Sequence, residues 1–122
     1  MEKSNTIGNL AKALSIVQGG LKPAIKDSQN PFFRSNYADL NSVWDSCREL
    51  LTNNGLAVSQ LAGTVDGKPA LTTILMHESG EYIANTIELA VTKADAQGVG
   101  SSLTYFRRYG LAAIIGIVSD ED

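Results

Sequence analysis

Two stretches of this 122-residue chain crowd cations, hydroxyls and flat rings together. The first, LKPAIKDSQNPFFRSNY, holds Lys26, Phe32, Phe33, Arg34 and Tyr37. The second runs from Lys93 through AQGVGSSLTYFRRYG and holds Ser101, Ser102, Thr104, Tyr105, Arg107 and Arg108. Residues 19–38 and 93–109 each carry a net +2, whereas the chain as a whole is −3, so the remainder is −7. The same two stretches contain Phe32, Phe33, Tyr37, Tyr105, Phe106 and Tyr109, leaving only Trp44 and Tyr82 elsewhere. Cations interleaved with aromatics suit single-stranded nucleic acid, the first for phosphates and the second for stacked bases. The second stretch also opens a helix, where free backbone N–H groups, small residues and hydroxyls favour an anion. Taken singly, each residue also reads as a solvated charge or a core aromatic, and one of Phe32 and Phe33 is expected to plug the core edge.

Catalytic chemistry is missing from the pattern. There is no Gly-rich Lys-Ser/Thr phosphate loop, and Gly98-Val99-Gly100 is only a fragment of a dinucleotide fingerprint following an antiparallel strand. No Asp/Glu/His set has the spacing to hold metals, and Ser101 and Ser102 have no base beside them. His77 falls at a turn edge without a partner, while Trp44 and Cys47 lie on an apolar helical stripe and read as core. The expectation is a binding protein, not an enzyme, with no catalytic residue, cofactor or metal.

The elements that must position these residues follow from periodicity. Ile7, Leu10, Ala11, Leu14 and Val17 keep helical spacing after a cap at Ser4, Asn5 or Thr6, and Gly19-Gly20 stops that helix. Pro23 and Pro31 break any helix in the segment that follows, so it reads as a long binding loop without regular structure. Asp39 caps a second helix with Leu40, Val43, Trp44, Cys47, Leu50 and Leu51 on one side, ended by Asn53-Asn54-Gly55. The period then becomes two, giving strands over 56–63, 70–77 and 81–91 joined by tight turns at 65–68 and 78–80. A long helix spans 96–117, with Val99, Leu103, Phe106, Gly110, Ala113, Ile114 and Ile117 inward and Ser101, Thr104, Tyr105 and Arg108 outward. The fold class is α+β: two N-terminal helices, a three-stranded antiparallel β-meander and a long C-terminal helix.

Hydrophobic residues at 43% and charged residues at 19% describe one soluble domain over 1–122. A single cysteine precludes an internal disulfide. The N-terminus lacks a secretory core, and the longest apolar run, 110–118, is too short for a membrane span. The expected location is the cytoplasm.

Two segments, NPFFRSNYADLNSVWDSCRELLTNNGLAVSQ and QGVGSSLTYFRRYGLAAIIGIVSDED, resemble the Erf family of phage recombination proteins. The family pairs an Asn-Pro-aromatic-Phe-basic-Ser-x-Tyr-Ala-x-Leu segment with a Gly-Ser-x-x-Thr-Tyr-x-Arg-Arg-Tyr helix, and the likeness runs from about Asn30 to the end. The resemblance implies a β-β-β-α core like that of eukaryotic strand-annealing proteins. It implies ATP-independent binding of single-stranded DNA and annealing of complementary strands in phage homologous recombination, inside the bacterial host. The implied partners are single-stranded DNA, an annealed duplex intermediate, further copies of the chain in a ring or filament, and a phage exonuclease or host single-strand-binding protein, with no membrane. Family members usually continue past the acidic segment, so a chain ending at Asp122 is expected to be a short member or an N-terminal core. Phe106 stands where the family often has a small residue.

The resemblance also implies a DNA groove between the meander and the long helix. Arg107 and Arg108 lie about 100° apart on the helix, so one faces phosphates while the other braces the fold. The facial pattern gives Arg108 the phosphate, helped by Ser101, Ser102 and Thr104, with Lys93, Lys26 and Arg34 extending the track. Phe32, Phe33, Tyr37 or Tyr105 stack bases. The rival class is a protein-interaction or assembly module, in which the apolar 111–118 run serves subunit contacts. A third reading, an RNA-binding sheet, needs exposed strand aromatics, of which Tyr82 alone qualifies.

Overall fold

The structure, a computed structural model, describes residues 1–22, 39–91 and 95–118, together with the backbone at 28–29 and 36–37. Its elements run β1 (Glu2–Lys3), α1 (Gly8–Gly20), β2 (Ser28–Gln29), β3 (Asn36–Tyr37), α2 (Leu40–Asn53), β4 (Leu56–Val65), β5 (Lys68–His77), β6 (Tyr82–Glu88) and α3 (Ala96–Ile115). The class is α+β, and the order of three helices around a meander is as the periodicity required.

Two details of the sheet differ from expectation. The meander gains a fourth strand, because β1 pairs with β6 through Glu2↔Ala84 and Lys3↔Ile83, giving the order β1-β6-β5-β4. A two-residue strand has no period, so nothing in its sequence could announce it. The segment between α1 and α2 also contains a short antiparallel ladder, Ser28↔Tyr37 and Gln29↔Asn36, where no regular structure was expected. The third meander strand ends at Glu88 and not at Val91; past it, the buried Leu89 donates its N–H to the Pro69 carbonyl at 2.9 Å.

The β4–β5 hairpin keeps its register from Leu56↔His77 to Val65↔Lys68. Its turn is set by Asp66 (φ 51°) and Gly67 (φ 79°), two consecutive left-handed residues, the geometry that matches the right-handed twist of flanking strands. One face of the sheet carries Leu56, Val58, Gln60, Thr73, Leu75 and Ile83 toward the helices. Tyr82, Ala84, Thr86 and Glu88 alternate onto the other face. Beyond Gln60, β4 is exposed along its whole outer half, with Leu61 53% and Val65 41% accessible.

The core forms where α1 and α2 meet the base of the sheet: Leu10, Ala13 and Val17 of α1, Val43, Cys47 and Leu51 of α2, Leu56 and Leu75, and Leu111 and Ile115 of α3. The start of α1 corrects the sequence reading. Its N-cap is Ile7, which has no capping side chain. Ser4 instead donates its hydroxyl to the Thr6 carbonyl at 2.7 Å and accepts from the Tyr82 N–H at 3.0 Å. The cap comes from Glu81, just past the second hairpin turn, whose Oε1 accepts from the Leu10 N–H at 2.9 Å and whose Oε2 accepts from the Thr6 hydroxyl at 2.7 Å. These bonds, the Thr6 hydroxyl first, hold the Glu81 carboxyl below the usual carboxylate range. A carboxylate supplied across the fold satisfies the same orphan amides that a local side chain would.

The inward face of α3 also shifts. Gly110, Leu111 and Ile115 are its buried residues, whereas Ala113 is exposed and Phe106 only half-buried. The cause is that α3 is wedged between two supports, so no single stripe faces a single layer. Leu111 and Ile115 enter the helical core, while Gly110 presses on β5. A Cβ at Gly110 would lie 2.8 Å from Thr73 Oγ1, so the absent side chain is what lets helix and strand approach this closely. The helix closes at Gly116 (φ 92°), and Gln18 of α1 donates to the Ile115 carbonyl at 3.0 Å.

Candidate nucleic-acid interface

α3 carries the second chemistry-bearing stretch, and its opening is fastened locally. Asp95 Oδ1 accepts from the Gly98 N–H at 2.7 Å, so the helix supplies its own anion at that amide. Ser102 donates to the Ala90 carbonyl at 2.7 Å, tying α3 to the end of the meander, and Thr104 donates within the helix to the Gly100 carbonyl at 3.2 Å. Ser101 is exposed.

One turn further on, the helix presents two tyrosine rings and Arg107 to solvent, with Arg108 half-buried. Tyr105 and Tyr109 are 53% and 52% exposed, and each meets Phe106 edge-on, at centroid separations of 5.3 and 6.2 Å. The Arg108 guanidinium carbon lies 5.2 Å from the Tyr105 ring centroid, a cation–π contact that places charge against a surface ring. Tyr109 was not among the expected base-stacking residues. Its signal was available, because it falls four residues after Tyr105 and i, i+4 places two rings on one strip of helix.

Arg107 takes a different position from the one the facial pattern assigned. Its backbone carbonyl braces the fold by accepting from Gln60 Nε2 at 3.0 Å. The residue is exposed and helps line a groove of about 240 Å³, walled by Leu40, Asn41 and Trp44 of α2, Val58 and Gln60 of β4, and Leu111 of α3. Trp44 therefore belongs both to the core edge and to the groove, a double role invisible in a helical stripe. Cys47 is fully buried, and burial pushes its thiol up to about 11. Gln60 had no signal at all, since one polar residue in a strand reads as solvent-facing.

Lys26, Phe32, Phe33, Arg34 and Lys93 lie outside the described residues. Tyr37 is placed by its backbone alone, in β3 opposite Ser28. The structure thus places Arg107 at the groove with Trp44 and Gln60, and puts Tyr105, Arg108 and Tyr109 on another strip of α3. Among the described residues no group of three His, Cys, Asp or Glu could hold a metal ion, and no helix is long and apolar enough to cross a membrane. Of the apolar 111–118 run that the rival assembly reading invokes, Leu111, Ile115 and Ile117 are buried, whereas Ala113 and Val118 are exposed.

Neither the curated proteins nor the solved structures contain a match to the chain. A family model described as the ERF superfamily matches residues 10–122, nearly the whole chain, and the chain belongs to that superfamily.

Proposed function

We propose that this chain binds single-stranded DNA along α3 and the adjoining groove, and anneals complementary strands without ATP. Its family associates it in general with phage recombination and strand annealing. The observation that carries the finer reading is that α3 exposes Tyr105 and Tyr109 with Arg108 seated on Tyr105, and sets the exposed Arg107 at a half-apolar groove, in a chain of net charge −3. Two guanidinium groups hold phosphates without regard to sequence, and rings take any base. Annealing needs that tolerance, and it needs most Watson–Crick edges left outward for a second strand. One subunit offers few cations, so repetition of the site in a homo-oligomer supplies avidity. A phage exonuclease or a host single-strand-binding protein fits as the source of exposed strand.

The assembly alternative rests on the exposed Val118 of the 111–118 run and on the outer half of β4, an edge strand without charge or proline that exposes Leu61 and Val65. The two readings separate in one assay: the pairing rate of two dye-labelled complementary oligonucleotides, without ATP, at low and moderate salt. Acceleration that fades with salt supports annealing. No acceleration and no binding of either strand leaves only the assembly role.

A further inference from the structure

Gln60 is clamped from two sides. Its Nε2 donates to Thr73 Oγ1 at 3.1 Å and to the Arg107 carbonyl at 3.0 Å, so both amide hydrogens are committed. A backbone carbonyl only accepts, which fixes the amide with its nitrogen toward α3. What Gln60 has left is Oε1, an acceptor on a residue that lines the groove. Among the described residues Oε1, the Arg107 guanidinium and the Trp44 indole N–H have no hydrogen-bond partner. Leu40, Val58 and Leu111 complete an apolar surround for these groups. A half-apolar cleft with a few convergent polar groups is the usual make-up of a small-ligand site. The groove is open to solvent and its volume of about 240 Å³ leaves room for one planar heterocycle.

We propose that the groove takes a single nucleobase from the bound strand. Trp44 lies against the base, Gln60 Oε1 accepts from its Watson–Crick edge, and Arg107 meets the flanking phosphate. This rests on the single-strand reading above and adds to it a residue-level subsite. A lone fixed acceptor suits a sequence-tolerant protein, because every base offers it a donor: the amino groups of adenine, cytosine and guanine, and the ring N3–H of thymine. The same contact hides one Watson–Crick edge per subunit. That base must leave the groove before a complement closes over it, and a full base pair with its stacking outcompetes one hydrogen bond and one ring contact.

Trp44 is the only tryptophan in the chain, so its emission reports on the groove directly. The test titrates the whole chain at low salt with three end-labelled strands of equal length: oligothymidylate, the same strand of N3-methylthymine, and an abasic strand. Dye anisotropy follows binding while Trp44 emission follows insertion. All three strands are expected to raise anisotropy through shared phosphate contacts. Oligothymidylate quenches Trp44, and adding oligoadenylate restores the emission. The methylated strand, lacking the N3–H, quenches with about tenfold weaker affinity, and the abasic strand does not quench. Trp44→Leu loses about tenfold or more in affinity for oligothymidylate, while its unchanged affinity for the abasic strand shows that it is folded. Anisotropy that rises with Trp44 emission unchanged, or equal quenching by the abasic strand, overturns the base subsite and leaves single-strand binding standing. Anisotropy that rises with none of the strands overturns single-strand binding, and the subsite with it.

Discussion

Replacing Gly110 by alanine probes whether α3 lies on the sheet as closely as the groove requires. The new Cβ would sit 2.8 Å from Thr73 Oγ1 and 3.5 Å from Gln60 Nε2. Thr73 is 4% exposed and its hydroxyl is bonded to Gln60, so neither partner can swing away without losing a hydrogen bond. Gly100, on the same helix, has nothing within 4 Å of an added Cβ and is the internal control. Helix propensity favours alanine by about 1 kcal/mol at either position, so it cancels in the comparison. Overpacking at Gly110 costs about 1–3 kcal/mol. Gly100→Ala should therefore stabilise by about 1 kcal/mol, and Gly110→Ala should range from neutral to about 2 kcal/mol destabilising. In urea, with a slope of about 1–3 kcal/mol per molar, the two midpoints should differ by roughly 1 M. Adding Thr73→Ala to Gly110→Ala removes the obstructing oxygen, so the two changes should couple favourably in a double-mutant cycle. If Gly110→Ala stabilises as much as Gly100→Ala, helix and strand are not in contact there. The wall that fixes Gln60 and Arg107 would then be wrongly placed.

Other expectations reach the site and the core. Arg107→Ala with Arg108→Ala should leave a folded protein whose log affinity for single strands depends less on log salt, by roughly 1.4 per subunit if each guanidinium holds one phosphate; an unchanged slope would place the strand elsewhere. Cys47, with its thiol raised to about 11 and no exposed surface, should resist a thiol reagent at pH 8 in the native protein and react at once in denaturant. Glu81 has a folded pKa below its ordinary 4.5, so the cap it supplies is fully present above that value. The contribution is lost as pH falls through the folded pKa. Thermal melts should show wild-type stability declining below pH 4.5 more steeply than that of Glu81→Gln, which should also be the less stable at neutral pH; parallel pH profiles would count against the cap.

Local chemistry determined much of this protein from sequence alone. Asp39 caps the helix it precedes, Asp66-Gly67 turns the hairpin, and Gly55 follows the end of α2, because each of these acts within four residues. The stripe of α2 was legible too, since Val43, Cys47 and Leu51 are its buried residues and keep a strict i, i+4 spacing. The Arg-Arg-aromatic composition of α3 likewise marked the candidate site before any coordinates did.

Only the tertiary structure decided the rest, wherever a residue's partner is distant in the chain. Glu81 caps a helix 71 residues before it, and a cap chosen across the fold leaves no trace in the helix's own first turn. The inward face of α3 was misread because the helix leans on a sheet on one side and on helices on the other, while a periodicity count assumes one contact plane. The facial pattern told Arg107 from Arg108 only by their angle on the helix. The sheet separates them, because Gln60 on β4 takes the Arg107 carbonyl and draws that residue to the groove, leaving Arg108 over Tyr105. Hydrogen bonds between elements, which no local pattern encodes, are what turn a basic aromatic helix into one wall of a site.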